Sequence, residues 1–147
     1  MAVAMGVNSG FVVAAPVADP LGLDVEAETN AWASKDTSPG TAVKVTELGC
    51  WIDNATAAAD IDLGIYDDSG GNTPGDLIGK ITIAKGGGAG WKSGSCDITI
   101  SSSTIYWVAM QVDASSGCNG NYGDGNKVDG LYGVAALPDP FGVPDTE

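Results

Sequence analysis

Glycine and proline interrupt this chain so often that few segments are long enough to form a helix. The 147 residues include 22 Gly and seven Pro, and both residue types break regular secondary structure. Between them lie short runs in which apolar and polar residues alternate, as they do in half-buried strands. Several short strands separated by turn signals are typical of a sandwich or barrel. The sequence therefore predicts a single all-β domain, either a sandwich or a barrel.

The clearest strand candidates lie in the middle of the chain. Residues 105–112 (IYWVAMQV) are apolar on both faces, which predicts a central strand covered on both sides. Residues 60–66 alternate Asp or Gly with Ile or Leu and predict a strand with one buried face. Within residues 43–53 the apolar phase shifts, so we expect a β-bulge near Gly49. The best helix candidate is 26–35.

The segment 64–80 (GIYDDSGGNTPGDLIGK) carries acid pairs, glycines and a closing Gly-Lys. A phosphate-binding loop is excluded, because Pro74 stands where that motif needs glycine and Ile81 stands where it needs Ser or Thr. The alternating ligand spacing of an EF-hand is absent as well. We expect a strand, a glycine-rich hairpin loop with its turn at Pro74-Gly75, and a second strand. The acidic residues are candidates for a weak calcium site: Asp67, Asp68 and Asp76.

The charge composition excludes several classes of function. Nineteen acidic residues stand against six lysines, with no Arg and no His, for a net charge of −13. Binding to nucleic acid or to an anionic membrane surface is therefore not expected. Without His there is no Ser-His-Asp or Cys-His nucleophile system, and no spacing singles out a pair of catalytic carboxylates. We expect a protein that is not an enzyme and that uses no cofactor, calcium being the one open alternative.

Cysteine usage and the first residues bear on localisation. Cys50, Cys96 and Cys118 are an odd number of thiols without a disulfide framework, which suits folding in a reducing cytoplasm. Three pairings stay open for a single disulfide. Residues 1–20 lack a basic region, so they form no clear signal peptide. No apolar run approaches the length that crosses a membrane.

The two ends of the chain differ from the middle. Residues 1–40 show little alternation, and residues 134–147 (VAALPDPFGVPDTE) carry three prolines, which are rare in interior strands. We expect a sandwich core over 41–133 and extended arms on both sides of it. Each arm either packs on its own domain or reaches onto a neighbouring subunit. The apolar residues of the arms are candidate assembly contacts: Phe11, Val12, Val13, Leu137 and Phe141.

Aromatic residues in loops or at outward strand positions suggest a different use of the surface. Sugar-binding sandwiches stack exposed aromatic rings on their ligands. The polar, glycine-rich segment 115–129 is a candidate loop for ligand binding, and a plain surface connection is the alternative. The aromatic residues that we consider for glycan stacking are Trp51, Trp91 and Tyr122.

Several segments resemble, in their order along the chain, a family of small β-sandwich structural proteins from tailed-phage and metagenomic viral genomes. These segments are GVNSGFV, KDTSPG, KVTELGCWIDNAT, GIYDDSGGNTPGDLIG, DITISSSTIYWVAMQVD and ALPDPFG. The resemblance covers residues 6–143, and it extends to jelly-roll domains of bacterial extracellular proteins. It implies an antiparallel β-sandwich of jelly-roll type and a structural role on a virion or a cell surface, with no catalytic residues to assign.

Together these observations predict a non-enzymatic assembly subunit. Its place would be a phage particle, as a capsid-decoration or fibre protein, or an extracellular filament. The expected partners are further copies of this chain and a major capsid or other virion protein. The alternative is a carbohydrate-binding or adhesive β-sandwich module, for which calcium dependence stays open.

Overall fold

The computed structural model describes residues 24–26, 30–41, 43–52, 60–84, 86, 88, 90–112, 119–121 and 128–145. In chain order the strands are β1 (Asp24–Glu26), β2 (Ala31–Thr37), β3 (Val43–Ile52), β4 (Asp60–Asp68), β5 (Pro74–Ala84), β6 (Gly90–Ile100), β7 (Ile105–Val112), β8 (Asn119–Asn121) and β9 (Val128–Leu131).

These strands form two antiparallel sheets that pack on each other. The four-stranded sheet has the order β1-β8-β3-β6, and the five-stranded sheet has the order β5-β4-β7-β2-β9. The all-β sandwich predicted from the sequence is confirmed. Strand β7 lies at the centre of the five-stranded sheet, as its apolar character on both faces predicts. No helix long and apolar enough to cross a membrane occurs in the part of the chain that the structure describes.

The predicted helix over 26–35 is wrong. Residues Ala31–Thr37 form β2, which pairs with β7 on one side and with β9 on the other. Ala31 and Ala33 point to the same buried face, and this tertiary pairing overrides the strong helical preference of alanine. The sandwich therefore begins before residue 41, and the expected N-terminal arm cannot extend to residue 40. Residues 1–23 lie outside the described part of the chain.

The core between the two sheets is aliphatic. A β-bulge between Val45 and Glu47 shifts the register of β3 against β6, so that Val45 and Leu48 both face inward. The expected shift of phase in β3 is confirmed, but it lies at Thr46 and not near Gly49, and in the register two residues of β6 stand against this one residue of β3. Burying one such side chain fully contributes about 1.5–3 kcal/mol. The core residues are Val45, Leu48, Cys50, Ile52, Ile61, Leu63, Ile65, Ile98, Ile100, Tyr106 and Val108.

A second apolar cluster lies on the opposite face of the five-stranded sheet. Residues 132–145, here called the C-terminal cover, lie across this face. Strand β4 is consequently buried on both faces, which corrects the prediction of one solvent-exposed face. The Tyr66 and Phe141 rings meet edge to face at a centroid distance of 5.2 Å. The cluster consists of Ala31, Ala33, Tyr66, Trp107, Ala109, Leu131, Leu137 and Phe141.

The hairpin between β4 and β5 turns earlier than the sequence predicts. The Ser69 amide donates to the Thr73 carbonyl at 3.0 Å, and the left-handed positions are Gly70 and Asn72, with φ of 82° and 62°. Gly75 instead lies within β5, where a Cβ would come within 2.2 Å of the Asp67 Oδ1 atom. This glycine serves close packing rather than the turn, so the predicted turn at Pro74-Gly75 is wrong.

Candidate assembly and binding surfaces

Two long strands lie at sheet edges on the same side of the sandwich. Strands β5 and β6 each contain eleven residues and end the five-stranded and four-stranded sheets respectively. The two strands pack closely, because a Cβ at Gly94 would lie 2.6 Å from the Ile83 Cγ2 atom. Within the described ranges, each strand pairs with only one neighbour, β4 or β3. Such edges present backbone N–H and C=O groups that can accept another strand.

The side chains along β6 offer only partial protection against strand addition, which comes from Lys92 opposite the buried Cys50. Proteins commonly blunt an edge with proline, with lysine or with an inward-pointing charge. Strand β6 contains no proline and one lysine, Lys92. Its exposed side chains include those of Ser93, Ser95, Asp97 and Thr99. On β5, Ile78 lies at an irregularity of the pairing with β4 and is 41% exposed.

The C-terminal cover packs on its own domain. Leu137 is 4% exposed and Phe141 is 1% exposed, so these two candidates do not present their side chains to a neighbour. Of the two alternatives for this arm, the structure shows intramolecular packing. The Phe141 amide donates to the Gly75 carbonyl, and the Asp139 carboxylate accepts from the Leu77 amide, both at 3.0 Å. Among the described residues, the part of β5 whose outer edge has no neighbour therefore follows Leu77.

A buried carboxylate fastens the cover to the sheet. The Asp62 Oδ2 atom lies 2.8 Å from the Lys80 Nζ atom and accepts a hydrogen bond from the Leu137 amide at 3.2 Å. The Thr82 hydroxyl donates to Asp62 Oδ1 at 2.5 Å. Burial alone raises the pKa of the Asp62 carboxyl, but the bonds from Lys80, Thr82 and Leu137 outweigh burial, so the net pKa lies below its usual range.

This role of Asp62 has no local signal in the sequence. Alternation along residues 60–66 places its side chain on a face that would be solvated in an isolated sheet. The cover, distant in the sequence, makes that face an interior. With three donors around it, the carboxylate is suited to holding the cover and not to transferring a proton to a substrate.

The carboxylates of two calcium candidates, Asp67 and Asp68, accept hydrogen bonds in and beside the hairpin, and the third candidate, Asp76, contributes its backbone amide. The Asp67 Oδ1 atom accepts a hydrogen bond from the Asp76 amide at 2.7 Å. The Asp68 carboxylate accepts from the Trp107 indole N–H at 2.9 Å and from the Gly70 amide at 3.2 Å. Among the described residues, no group of three or more Asp, Glu, Cys or His side chains is placed to hold a metal ion. The geometry thus gives the calcium hypothesis no support.

Two of the aromatic candidates lie together on the outer face of the four-stranded sheet. Trp51 on β3 and Trp91 on β6 are directly opposite each other in the register, and both are partly exposed. The Trp91 indole N–H lies 3.5 Å from the Glu47 Oε1 atom. A Cβ at Gly49 would come within 2.2 Å of the Trp91 ring. The third candidate, Tyr122, lies outside the described residues.

The other predicted residues divide between the core and the part of the chain that is not described. Cys50 and Cys96 are not joined in a disulfide. Burial raises the pKa of the Cys96 thiol, and the charges of Asp97 and Glu47 raise it further against the opposing effect of the Ile98 amide. Cys96 is therefore a weak nucleophile at neutral pH. Cys118 and the assembly candidates Phe11, Val12 and Val13 lie outside the described ranges.

No family model matches this chain, and no curated protein or solved structure is significantly similar to it. The resemblance to phage and extracellular jelly-roll proteins therefore stays a prediction from the sequence.

Proposed function

We propose that this chain is a non-enzymatic structural subunit that assembles by strand addition at the β5–β6 side of the sandwich. The observation that supports this proposal is the pair of eleven-residue edge strands on one side, each with one neighbour among the described residues. Added strands gain main-chain hydrogen bonds along the edge, and alternate side chains give specificity. Strand β6 and the part of β5 after Leu77 are long enough to serve as templates for a partner strand.

The donor strand in this proposal is the N-terminal segment of a neighbouring copy. Phe11, Val12 and Val13 are consecutive residues with high strand preference. This choice of donor rests on the sequence. The C-terminal cover is a poorer donor, because its apolar anchors Leu137 and Phe141 are buried in the chain's own cluster.

The setting we propose is a phage particle or an extracellular filament. The sequence resemblance favours a capsid-decoration or fibre protein, with a major capsid or other virion protein as the second partner. The net charge of −13 suits a subunit with a solvated outer surface, and it disfavours contact with packaged nucleic acid. The role of the rigid sandwich would be mechanical.

The experiment that tests this function combines light scattering with electron micrographs of the purified protein. One variant places charges on both edges, Ile78→Lys with Ser95→Lys, and a second replaces the donor residues, Phe11→Ser with Val13→Ser. Ala135→Lys, at an exposed position of the cover, is the matched control for added charge. We expect assemblies above the 14.7 kDa monomer for the wild type and the control, and smaller species for both test variants.

Circular dichroism should stay that of a folded β protein in the edge variant and the control, because the substituted positions are exposed. The thermal midpoint of a variant that loses assembly should lie at or below that of the wild type, because assembly stabilises the folded state. A wild-type protein that stays monomeric and attaches to no larger particle would contradict the proposal. Unchanged assembly in both test variants would contradict the proposed edge while leaving a structural role open to another surface.

A further inference from the structure

An aromatic and polar cluster lies on the outer face of β3 and β6, beside the proposed assembly edge. Its residues are Glu47, Gly49, Trp51, Trp91, Ser93 and Ser95, here called the Trp91 face. In the register, Trp51 is opposite Trp91, Gly49 is opposite Ser93, and Glu47 is opposite Ser95. Residues directly opposite in an antiparallel pair point to the same side of the sheet. These six positions therefore form three consecutive rows on one surface.

The Trp91 side chain lies along the sheet and does not stand away from it. Its indole nitrogen comes within 3.5 Å of Glu47, which lies two rows away. The Cζ2 and Cε2 atoms of the ring occupy the space above Gly49, where a Cβ would be 2.2 and 2.6 Å from them. One side of the indole is thus held against the backbone, and the residue stays partly exposed. Glycine at position 49 is what allows this placement.

We propose that the Trp91 face binds a neutral pyranose unit of a glycan, with Trp91 as the stacking surface. An indole held against a sheet is a rigid apolar surface that loses little conformational freedom on binding. The C–H face of a pyranose ring is apolar and of similar size. Polar groups that can bond to its hydroxyls lie beside the indole: the Glu47 carboxylate accepts, and the exposed Ser93 and Ser95 hydroxyls donate or accept.

Charge selects the class of sugar. The chain carries a net charge of −13, and the Glu47 carboxylate lies at the edge of the indole. The positive charge of Lys44, on the same two strands, is engaged by Asp97 at 2.5 Å. An acidic saccharide would bring a further negative charge into this field and be repelled. The Trp91 face is therefore matched to neutral hexopyranoses.

Two alternative roles of the Trp91 face predict different results. An aromatic residue can cover a strand glycine only to stabilise the sheet, in which case no saccharide binds. The same surface can instead be buried between copies, in which case changing Trp91 alters the particle mass. Titration with saccharides distinguishes a glycan site from both roles, because only a glycan site binds saccharide through Trp91. This readout is separate from the particle mass that tests the proposed assembly.

The test is calorimetric titration of the whole protein with neutral hexasaccharides of glucose, mannose and N-acetylglucosamine, alongside an oligogalacturonate. We expect a dissociation constant of about 1 mM or tighter for at least one neutral oligomer and none measurable for the acidic one. Trp91→Ala should weaken binding at least about tenfold, which corresponds to one good aromatic contact. Gly49→Ala, which displaces the indole without removing it, should weaken binding several-fold.

The control is Tyr132→Ala, which removes an exposed aromatic ring outside the Trp91 face and should leave binding unchanged. Thermal melting checks that each variant is folded. The proposal is overturned if no neutral oligomer binds at about 10 mM, if Trp91→Ala and Gly49→Ala both bind like the wild type, or if Trp91→Ala changes the particle mass without changing saccharide binding.

Discussion

The Asp62 carboxylate of β4 accepts a hydrogen bond from the Leu137 amide across 75 residues of sequence. This contact joins the C-terminal cover to the sheet whose outer face it encloses. Lys80 and Thr82 of the neighbouring strand β5 donate to the same carboxylate. Asp62 thus connects two strands and the cover through one charged group.

Replacing Asp62 with Asn should destabilise the fold by about 1–3 kcal/mol, the usual cost of losing charged hydrogen bonds at a buried site. The amide keeps the shape of the side chain but removes the charge that faces Lys80. Urea unfolding at neutral pH measures the loss. Asp97→Asn is the matched control, because its ion pair with Lys44 is exposed and contributes at most about 1 kcal/mol. Equal effects of the two substitutions would argue against the role of Asp62.

Lowering the pH should weaken the attachment of the C-terminal cover to Asp62. The pKa of Asp62 is lowered in the folded protein, because its three hydrogen bonds outweigh the opposing effect of burial. Its contribution to stability is therefore complete above the unfolded pKa of about 4 and is lost as the pH falls through the lower folded pKa. Unfolding curves between pH 7 and pH 2 should show a flatter acid limb for Asp62→Asn than for the wild type. Parallel acid limbs would contradict this assignment.

Raising the pH into the alkaline range should lower the stability that the hydrogen bond between Tyr66 and the C-terminal cover contributes. The Tyr66 hydroxyl donates to the Pro138 carbonyl at 2.6 Å, and burial, followed by the charges of Asp139 and Asp62, raises its pKa. The unfolded chain ionises near pH 10 while the folded phenol stays neutral, so this contribution is present below that pH and falls as the pH rises above it. Tyr66→Phe should cost about 1 kcal/mol at pH 7 and reduce the alkaline loss. A steeper alkaline loss in the variant would refute this view.

Phe141 should be the main apolar anchor of the cover. It is 1% exposed and meets the Tyr66 ring edge to face, so Phe141→Ala should cost about 3–5 kcal/mol. Val143 lies in the same segment but is 87% exposed, and Val143→Ala should change stability by less than about 0.5 kcal/mol. Limited proteolysis should cleave the cover faster in the Phe141 variant alone. Comparable effects of both substitutions would mean that the cover is not anchored through Phe141.

The sequence predicted the elements whose signals are local. Continuous apolar character placed residues 105–112 in a central strand, and the phase shift in β3 indicated an irregular pairing with β6, although not its position. Prediction failed where distant segments meet. Asp62 alternates as a surface residue does, and only the cover buries it. Residues 31–37 contain alanines that favour a helix in isolation, yet β7 and β9 flank them as strands.

The candidate sites, like the strands, were predictable only where the signal is local in the sequence. Trp51 and Trp91 could be chosen from the sequence as aromatic candidates, but their register partnership and the role of Gly49 need the pairing of β3 with β6. The acids at 67, 68 and 76 suggest a cation loop by composition. Backbone amides and the Trp107 indole N–H bond to Asp67 and Asp68 in the folded hairpin, which spacing alone does not reveal.

We propose that this chain assembles through its β5–β6 side, where the outer edges of β6 and of β5 after Leu77 have no further strand among the described residues, and the particle mass is the measurement that tests this proposal. Light scattering of the purified wild-type protein, with the edge variant Ile78→Lys/Ser95→Lys beside it, is the measurement. We expect a multiple of 14.7 kDa for the wild type and a shift toward the monomer for the edge variant. A monomeric wild type that binds no larger particle, or an assembly of unchanged mass in the variant, would contradict it.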